Sequence, residues 1–440
     1  MSAARNQSEI GNSASSFEAR TIQKVRRRLL PFLFLLYIVA FLDRINIGFA
    51  ALTMNQELGI SSEQFGFVAG IFFVGYFLFE IPSNLLLHRI GARIWIARIL
   101  IVWGAVAVLT GFVRNVRELY LLRFLLGLAE AGYFPGIVLY LTYWFRERDR
   151  AQAIALFLTG LPVASILGAP LSGLILDHAN WLGVSGWRWL LILQGIPAVV
   201  FGVLTYFVLP DRPAEAKFLT AEEKEWIQSD LLREEQRKLE QHRYTALQSI
   251  ANRRVWHLAS IHFGMMIGLY TLSFWVPQLV KSLSTQFSNS TVGVLVMIPN
   301  LVGLVAMILV SRSSDRTLER RFHAAIPAFI GGVALLLMAT APSQLLLLTL
   351  LSLLALGIYS YVSPFWALPS EFLTGASAAV GLALINSVGN LGGLVGPWAI
   401  GAISDRTGSV FGGLALAGIP LLISAALLLL IPRGARPRPL

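Results

Sequence analysis

The chain has 440 residues, of which 56% are hydrophobic and only 13% charged, a balance too apolar for an ordinary soluble globule. Its formal net charge of +11 invites a nucleic-acid role, but 27 of the 35 Lys and Arg fall in alternate segments between apolar runs, so membrane topology explains the excess. The lack of cysteine excludes disulfides and thiol chemistry, and nothing has metal-ligand spacing.

Residues 1–28 read as an N-terminal tail ending in a basic patch from Lys24 to Arg28. No small-residue cleavage site follows, so the first apolar run reads as an uncleaved helix. Runs of about 20 apolar residues, long enough to span the hydrocarbon, recur twelve times. They fall at 29–52, 63–87, 94–113, 118–141, 151–176, 187–209, 255–280, 291–311, 324–341, 344–366, 377–402 and 410–431. Of the basic residues, 27 lie on the side of the termini, 5 on the other side and 3 within spans, which places both termini in the cytoplasm. The hydrophilic stretch 210–254 splits the chain into bundles at 29–209 and 255–431, with a short cytoplasmic tail at 432–440. Within it Thr220-Ala221-Glu222-Glu223 has capping-box spacing, and Trp226, Ile227, Leu231 and Leu239 recur at near-helical intervals. A short surface helix is expected there, on a solvated tether between the bundles.

The two halves echo one another. Residues 150–177 carry Gly168-Ala169-Pro170, Gly173 and Asp177, and residues 376–405 carry Gly396-Pro397, Gly401 and Asp405. Basic turns recur after the second span, at Arg89-Ile90-Gly91-Ala92-Arg93, and after the eighth, at Asp315-Arg316. The expected fold is therefore an all-α membrane protein of twelve transmembrane helices in two pseudo-symmetric six-helix bundles. Such bundles place a substrate site at their interface near the midplane. Gly160, Gly168 and Gly173, with Gly389, Gly392, Gly393 and Gly396, read as close packing seams.

Five of the charges within the spans, Asp43, Arg44, Glu80, Arg123 and Glu130, point to function, since each costs roughly 2.5–3.5 kcal/mol at the bilayer centre. Arg44 and Arg123 suit an anion, because a planar guanidinium grips a carboxylate through two parallel hydrogen bonds. Arg123 and Glu130 are seven residues apart, on one helix face but roughly 10 Å apart along the axis. They cannot pair tightly, which suggests that the arginine holds the anion and the glutamate carries a proton. Asp43 points about 100° away from Arg44, so its partner is expected on another helix. Glu80, near the cytoplasmic boundary, is expected to brace a gate, together with Arg89, Gly91, Arg93, Asp315 and Arg316. Asn386 and Asn390 share a face of the eleventh span and either contact substrate or hold neighbouring helices. Ser363-Pro364-Phe365-Trp366 suggests a broken helix that sets Trp366 against the cavity, and His257 and His262 read as structural.

At the basic turns the chain resembles the major facilitator superfamily, although His88 stands where the pattern usually has Asp. At Phe41-Leu42-Asp43-Arg44-Ile45-Asn46-Ile47-Gly48, Phe79-Glu80-Ile81-Pro82-Ser83-Asn84, Arg123 through Gly132 and Asn386 through Gly393 it resembles the anion:cation symporter family, and within it bacterial tartrate and phthalate type permeases. The resemblance implies that Arg44 and Arg123 contact a substrate carboxylate, that Tyr76 lends it a hydroxyl, and that Asp43 and Glu130 couple protons.

These readings converge on a secondary active transporter of a bacterial inner membrane, expected as a monomer without cofactor. It would import a small organic carboxylate, such as tartrate, an aromatic acid or a sugar acid, by proton symport with alternating access. The rival readings are an exchanger or exporter of the same fold and a non-transporting membrane receptor or sensor. No catalytic set supports an enzyme.

Overall fold

A computed structural model describes residues 2–240, 250–340, 343–369, 373 and 375–431. The expected tail at 432–440 lies outside them. Twelve helices are long and apolar enough to cross a membrane. In chain order these first to twelfth spans are Ser16–Leu58, Ser62–Leu87, Ala92–Thr110, Val116–Thr142, Gln152–His178, Gly186–Val208, Arg253–Phe274, Asn289–Thr317, Arg321–Met338, Gln344–Ala367, Val380–Thr407 and Val410–Leu429. Large side chains such as Ile81, Leu167, Phe207 and Leu309 are exposed on the outer faces, where lipid chains would cover them.

Successive spans reverse direction, so the starts of the even spans share one side, here called distal. The linker joins the sixth and seventh spans on the opposite, linker side. Distal helix starts use small polar caps, which satisfy backbone N–H groups that a helix leaves free. Ser61 and Gln64 form a reciprocal capping box, with bonds of 3.3 and 3.0 Å. Asn115, Ser288 and Ser343 accept from the N–H groups of Glu118, Thr291 and Leu346 at 3.0, 3.0 and 3.2 Å.

Four spans are broken, at matching positions in the two halves. The fourth divides between Val116–Glu130 and Tyr133–Thr142, and the tenth between Gln344–Ser360 and Val362–Ala367. The fifth divides between Glu147–Leu158 and Gly160–His178, and the eleventh between Gly375–Asn390 and Gly392–Thr407. At the fourth-span break Gly132 has φ 83°, and a Cβ there would also strike the Ser83 side chain. Glycine is required by both conditions.

The halves meet along seams of small residues. A Cβ on Gly66 or Gly70 of the second span would collide with the backbone at Pro397 or Leu394 of the eleventh, and one on Gly173 of the fifth with Asn289 of the eighth. Within the halves, Gly392 lies against the Phe263 backbone, and Gly168, Gly389 and Gly396 face the side chains of Leu42, His262 and Ile267, so small residues let neighbouring helices approach closely there too.

Residues 2–28, expected as an N-terminal tail, are helical and continuous with the first span, in one helix from Ser2 to Leu58. One expectation for the linker side changes. The linker helix, Ala221–Glu240, is docked rather than tethered. Lys24 pairs with Glu223 at 2.8 Å, and Arg146 pairs with Glu18 and Asp149 at 2.9 Å and with Asp230 at 3.5 Å. Arg150 meets Glu234 at 3.2 Å, the Arg146 guanidinium lies 5.0 Å from the Trp226 ring, and Ile227 is buried. Burial opposes ionisation of Glu223, but Lys24 and the Thr220 N–H outweigh it and hold the carboxyl below the usual range. The mixed charges of the linker are thus matched by basic partners on the first half, which a pattern of alternating charge does not disclose.

Losing the Arg146 contacts should free the linker helix locally. Arg146→Ala is expected to cost on the order of 1 kcal/mol there, raising tryptic cleavage within 217–240 about fivefold while the spans stay protected. An unchanged cleavage rate would show that Arg146 does not hold the linker.

Candidate functional site

A cavity lies between the halves at mid-depth. Arg44 on the first span reaches into it, about 21 Å along the helix from Leu58 and a similar distance from the linker-side end of the apolar run. Glu130 closes the first segment of the fourth span, and the break that follows lets its carboxylate meet Arg44. The Nη2 of Arg44 donates to Oε1 of Glu130, whose side chain is 1% exposed. The Nη1 of Arg44 donates to the Tyr270 hydroxyl of the seventh span at 3.2 Å, and Tyr270 donates to Oδ1 of Asn390 at 3.3 Å. One chain of polar contacts therefore runs from the fourth span through the first and across the seam to the seventh and eleventh. The second oxygen of Glu130, Oε2, has no hydrogen-bond partner.

The expected site residues divide by this geometry. Arg44, Glu130, Tyr76, Trp366, Asn386 and Asn390 line the cavity. Arg123 does not: it is buried against the second span, with Nε donating to the Val68 carbonyl at 3.3 Å and Nη2 unpartnered. Both guanidiniums lie beside the Phe72 ring, at 5.4 Å for Arg44 and 5.2 Å for Arg123. Asp43 is also buried and off the cavity wall. Its Oδ1 accepts from Asn46 at 3.2 Å, three residues along the same helix, and Trp103 of the third span and Arg123 of the fourth are its neighbours on other helices.

Glu80 is fully buried and bridges the halves. Its Oε1 accepts from Nδ2 of Asn386 at 2.7 Å and its Oε2 from the Ser387 hydroxyl. This bridge lies roughly 15 Å along the second span from Ile90, on the linker side of the cavity. The basic turns beyond it pair within their own halves. Backbone N–H of Arg93 donates to Asp211 at 2.7 Å, and its side chain lies 3.5 Å from the same carboxylate. Asp315 pairs with Arg320 at 2.5 Å, while Arg89 and Arg316 are exposed. Gly91 has φ 99°, and a Cβ there would meet Asp211.

On the distal side the seam is held twice by the same device. Asp177, ending the fifth span, accepts from the backbone N–H groups of Asn289 and Ser290 at 3.1 and 2.7 Å, at the start of the eighth. Asp405, ending the eleventh, accepts from Ser62 and Glu63 N–H at 3.0 and 2.9 Å, at the start of the second. A carboxylate facing a helix N-terminus is stabilised by unpaired N–H donors and the helix dipole together. The paired aspartates of the internal echo thus close matching seams.

Several wall residues escaped the sequence reading. His262, read as structural, lines the cavity with Met266 and Tyr270, and their spacing of four and eight residues on one helix face was the available signal. Tyr37, Tyr133, Tyr359 and Tyr361 also line it. Tyrosine is common in membrane helices as packing, so composition alone does not single these out.

The family description "Major Facilitator Superfamily" matches residues 33–397. A protein of Agrobacterium vitis named "Putative tartrate transporter" is 47% identical over 427 residues, covering 97% of this chain and 94% of its own. A Pseudomonas putida protein named "Putative metabolite transport protein NicT" is 40% identical, covering 93% of this chain and 94% of its own. Among solved structures, the xylose transporter XylE of Escherichia coli, in an inward open conformation, superposes with a TM-score of 0.73 at 16% identity, covering 94% of this chain and 98% of its own.

If the two aspartates latch the distal seam, replacing both should loosen it. The native chain contains no cysteine, so spin labels on cysteines introduced at Leu182 and Thr285 report the distance between the halves directly. In Asp177→Ala, Asp405→Ala protein the distance distribution is expected to broaden toward longer values. A distribution identical to that of the parent would remove the latch role.

Proposed function

The chain belongs to the Major Facilitator Superfamily, and on that premise we propose that it is a proton-coupled importer of a small organic carboxylate, working by alternating access. The observation that carries this reading is the Arg44–Glu130 pair, set in a cavity between the halves. Relatives named for tartrate and metabolite transport support the organic-acid class. Both termini are assigned to the cytoplasm of a bacterial inner membrane, in keeping with the side on which Lys and Arg concentrate.

The coupling follows from competition for one cation. A substrate carboxylate entering the cavity takes Arg44 in two charge-assisted hydrogen bonds. Glu130 then keeps its burial but loses its counterion, and a proton neutralises it. Anion and proton therefore bind together. Moving one charge through 100 mV involves about 2.3 kcal/mol, so a monoanion entering an inside-negative cell with one proton avoids that opposing term. Arg123, one ring away beside Phe72, is assigned as a second cation for the anion after a side-chain or helix movement, and Asp43 as a second proton carrier.

The gates follow the same logic. Glu80 with Asn386 and Ser387 braces the halves on the linker side, and the Asp177 and Asp405 contacts hold the distal side. Asn386 both lines the cavity and holds Glu80, so a substrate that recruits its amide would also weaken the brace. Release of one gate while the other holds gives alternating access. The basic turns at Arg89, Gly91, Arg93, Asp315 and Arg316 are assigned as outer elements of the linker-side gate.

Two substitutions separate binding from coupling. Arg44→Lys removes the bidentate fork and is expected to weaken carboxylate binding at least about tenfold, or roughly 1.4 kcal/mol. Glu130→Gln is expected to retain substrate counterflow in proteoliposomes while losing accumulation driven by a pH gradient. Undiminished accumulation by Glu130→Gln would assign the proton elsewhere or make the protein an exchanger.

A further inference from the structure

A second recess opens at the linker-side end of the first span. It has a volume of about 330 Å³ and is lined by Arg20, Gln23, Lys24, Arg27, Arg28 and Phe218. Its four basic residues fall within about 100° of one another around the helix and extend roughly 12 Å along it, so they form a single basic face. Arg26 points to the other side, where its Nη2 donates to Gln152 at 3.0 Å.

Little within the protein neutralises this face. Lys24 pairs with Glu223 at 2.8 Å, and Nε of Arg20 donates to the Ser16 carbonyl at 3.2 Å. Arg27 and Arg28 are exposed, and among the described residues neither makes an ion pair and no carboxylate lines the recess. Phe218, the linker residue in its wall, stacks on the buried Trp144 with ring centroids 6.1 Å apart and planes 21° apart.

The continuation of this face points to the ligand. Pro31 and Leu35 follow Arg28 on it, and both are exposed within the apolar run. Phe32 meets Phe201 of the sixth span with ring centroids 6.4 Å apart, and Leu204 and Phe207, nearer the linker end of that span, are exposed as well. The recess therefore stands at the edge of the hydrocarbon zone, with bare apolar surface beside it. A small anion would use the cations alone, whereas a lipid uses both surfaces. Guanidiniums grip a phosphate through paired charge-assisted hydrogen bonds, and basic clusters flanking a span attract anionic lipids. A headgroup amine would bring one more cation to a wall that lacks a carboxylate, which disfavours a zwitterionic lipid. We propose that the recess binds the phosphodiester of an anionic phospholipid through Arg27 and Arg28, with its acyl chains along Pro31, Leu35 and the sixth span. This site stands whatever solute the central cavity carries.

Native mass spectrometry of the purified full-length protein, offered chain-matched phosphatidylglycerol and phosphatidylcholine with or without excess inorganic phosphate, tests this site. Phosphatidylglycerol is expected to be retained at least about fivefold more than phosphatidylcholine, and inorganic phosphate is expected not to displace it. Arg27→Gln, Arg28→Gln protein should lose that preference. Arg114→Gln, Arg117→Gln protein, which gives up the same charge from exposed distal positions, should keep it. Equal retention of the two lipids by the wild type would overturn the proposal without recourse to any variant. Displacement of phosphatidylglycerol by inorganic phosphate would overturn the lipid in favour of a small anion. Equal loss in both double variants, or an unchanged preference in Arg27→Gln, Arg28→Gln protein, would show that the recess is not where the lipid binds.

Discussion

A guanidinium and a carboxylate moved out of water each lose several kcal/mol of hydration, and in a low-dielectric site they are stable only while each satisfies the other. Arg44 and Glu130 meet under that condition at the seam of the two halves. The surrounding architecture can be traced from the pair. The first span runs unbroken past Arg44, the fourth stops at Glu130, and Gly132 takes the positive φ that turns the chain back into helix. Tyr270 extends the network into the other half. Whatever enters the cavity as an anion competes for a cation that both halves already use.

The seams around the pair are built from different materials on the two sides. Distally, backbones pack over glycine and each half contributes an aspartate to a helix start in the other. Toward the linker, Glu80 holds the eleventh span through Asn386 and Ser387, one of which also faces the cavity. A latch that shares a residue with the cavity can respond to occupancy, and a latch of carboxylate on backbone N–H cannot do so directly. That difference gives the brace at Glu80 a sensing position and leaves the distal pair as a clasp.

Much of this was legible in the sequence. Apolar runs of about 20 residues locate the spans because hydrocarbon thickness fixes their length. Asp177 and Asp405 stood at matching places in the internal echo, although nothing in the pattern told which helix each would cap. Placement across the seam was harder. Arg123 shares a heptad face with Glu130, yet the face divides so that one residue reaches the cavity and the other turns to Val68. Asp43 has neighbours on other helices, Trp103 and Arg123, but its bond to Asn46 three residues along its own helix was not read from the sequence. The docked linker and the aromatic wall around His262 depend on side chains brought together from distant segments, and periodicity within one segment does not report them.

The central claim is that an anion on Arg44 leaves Glu130 to take a proton. Proton uptake on binding measures it most directly, by titrating one substrate carboxylate into purified protein in buffers of differing ionisation enthalpy at fixed pH. Close to one proton is expected to enter with each anion in the wild type, and close to none in Glu130→Gln. Binding without proton uptake in the wild type, or equal uptake in both proteins, would contradict the claim.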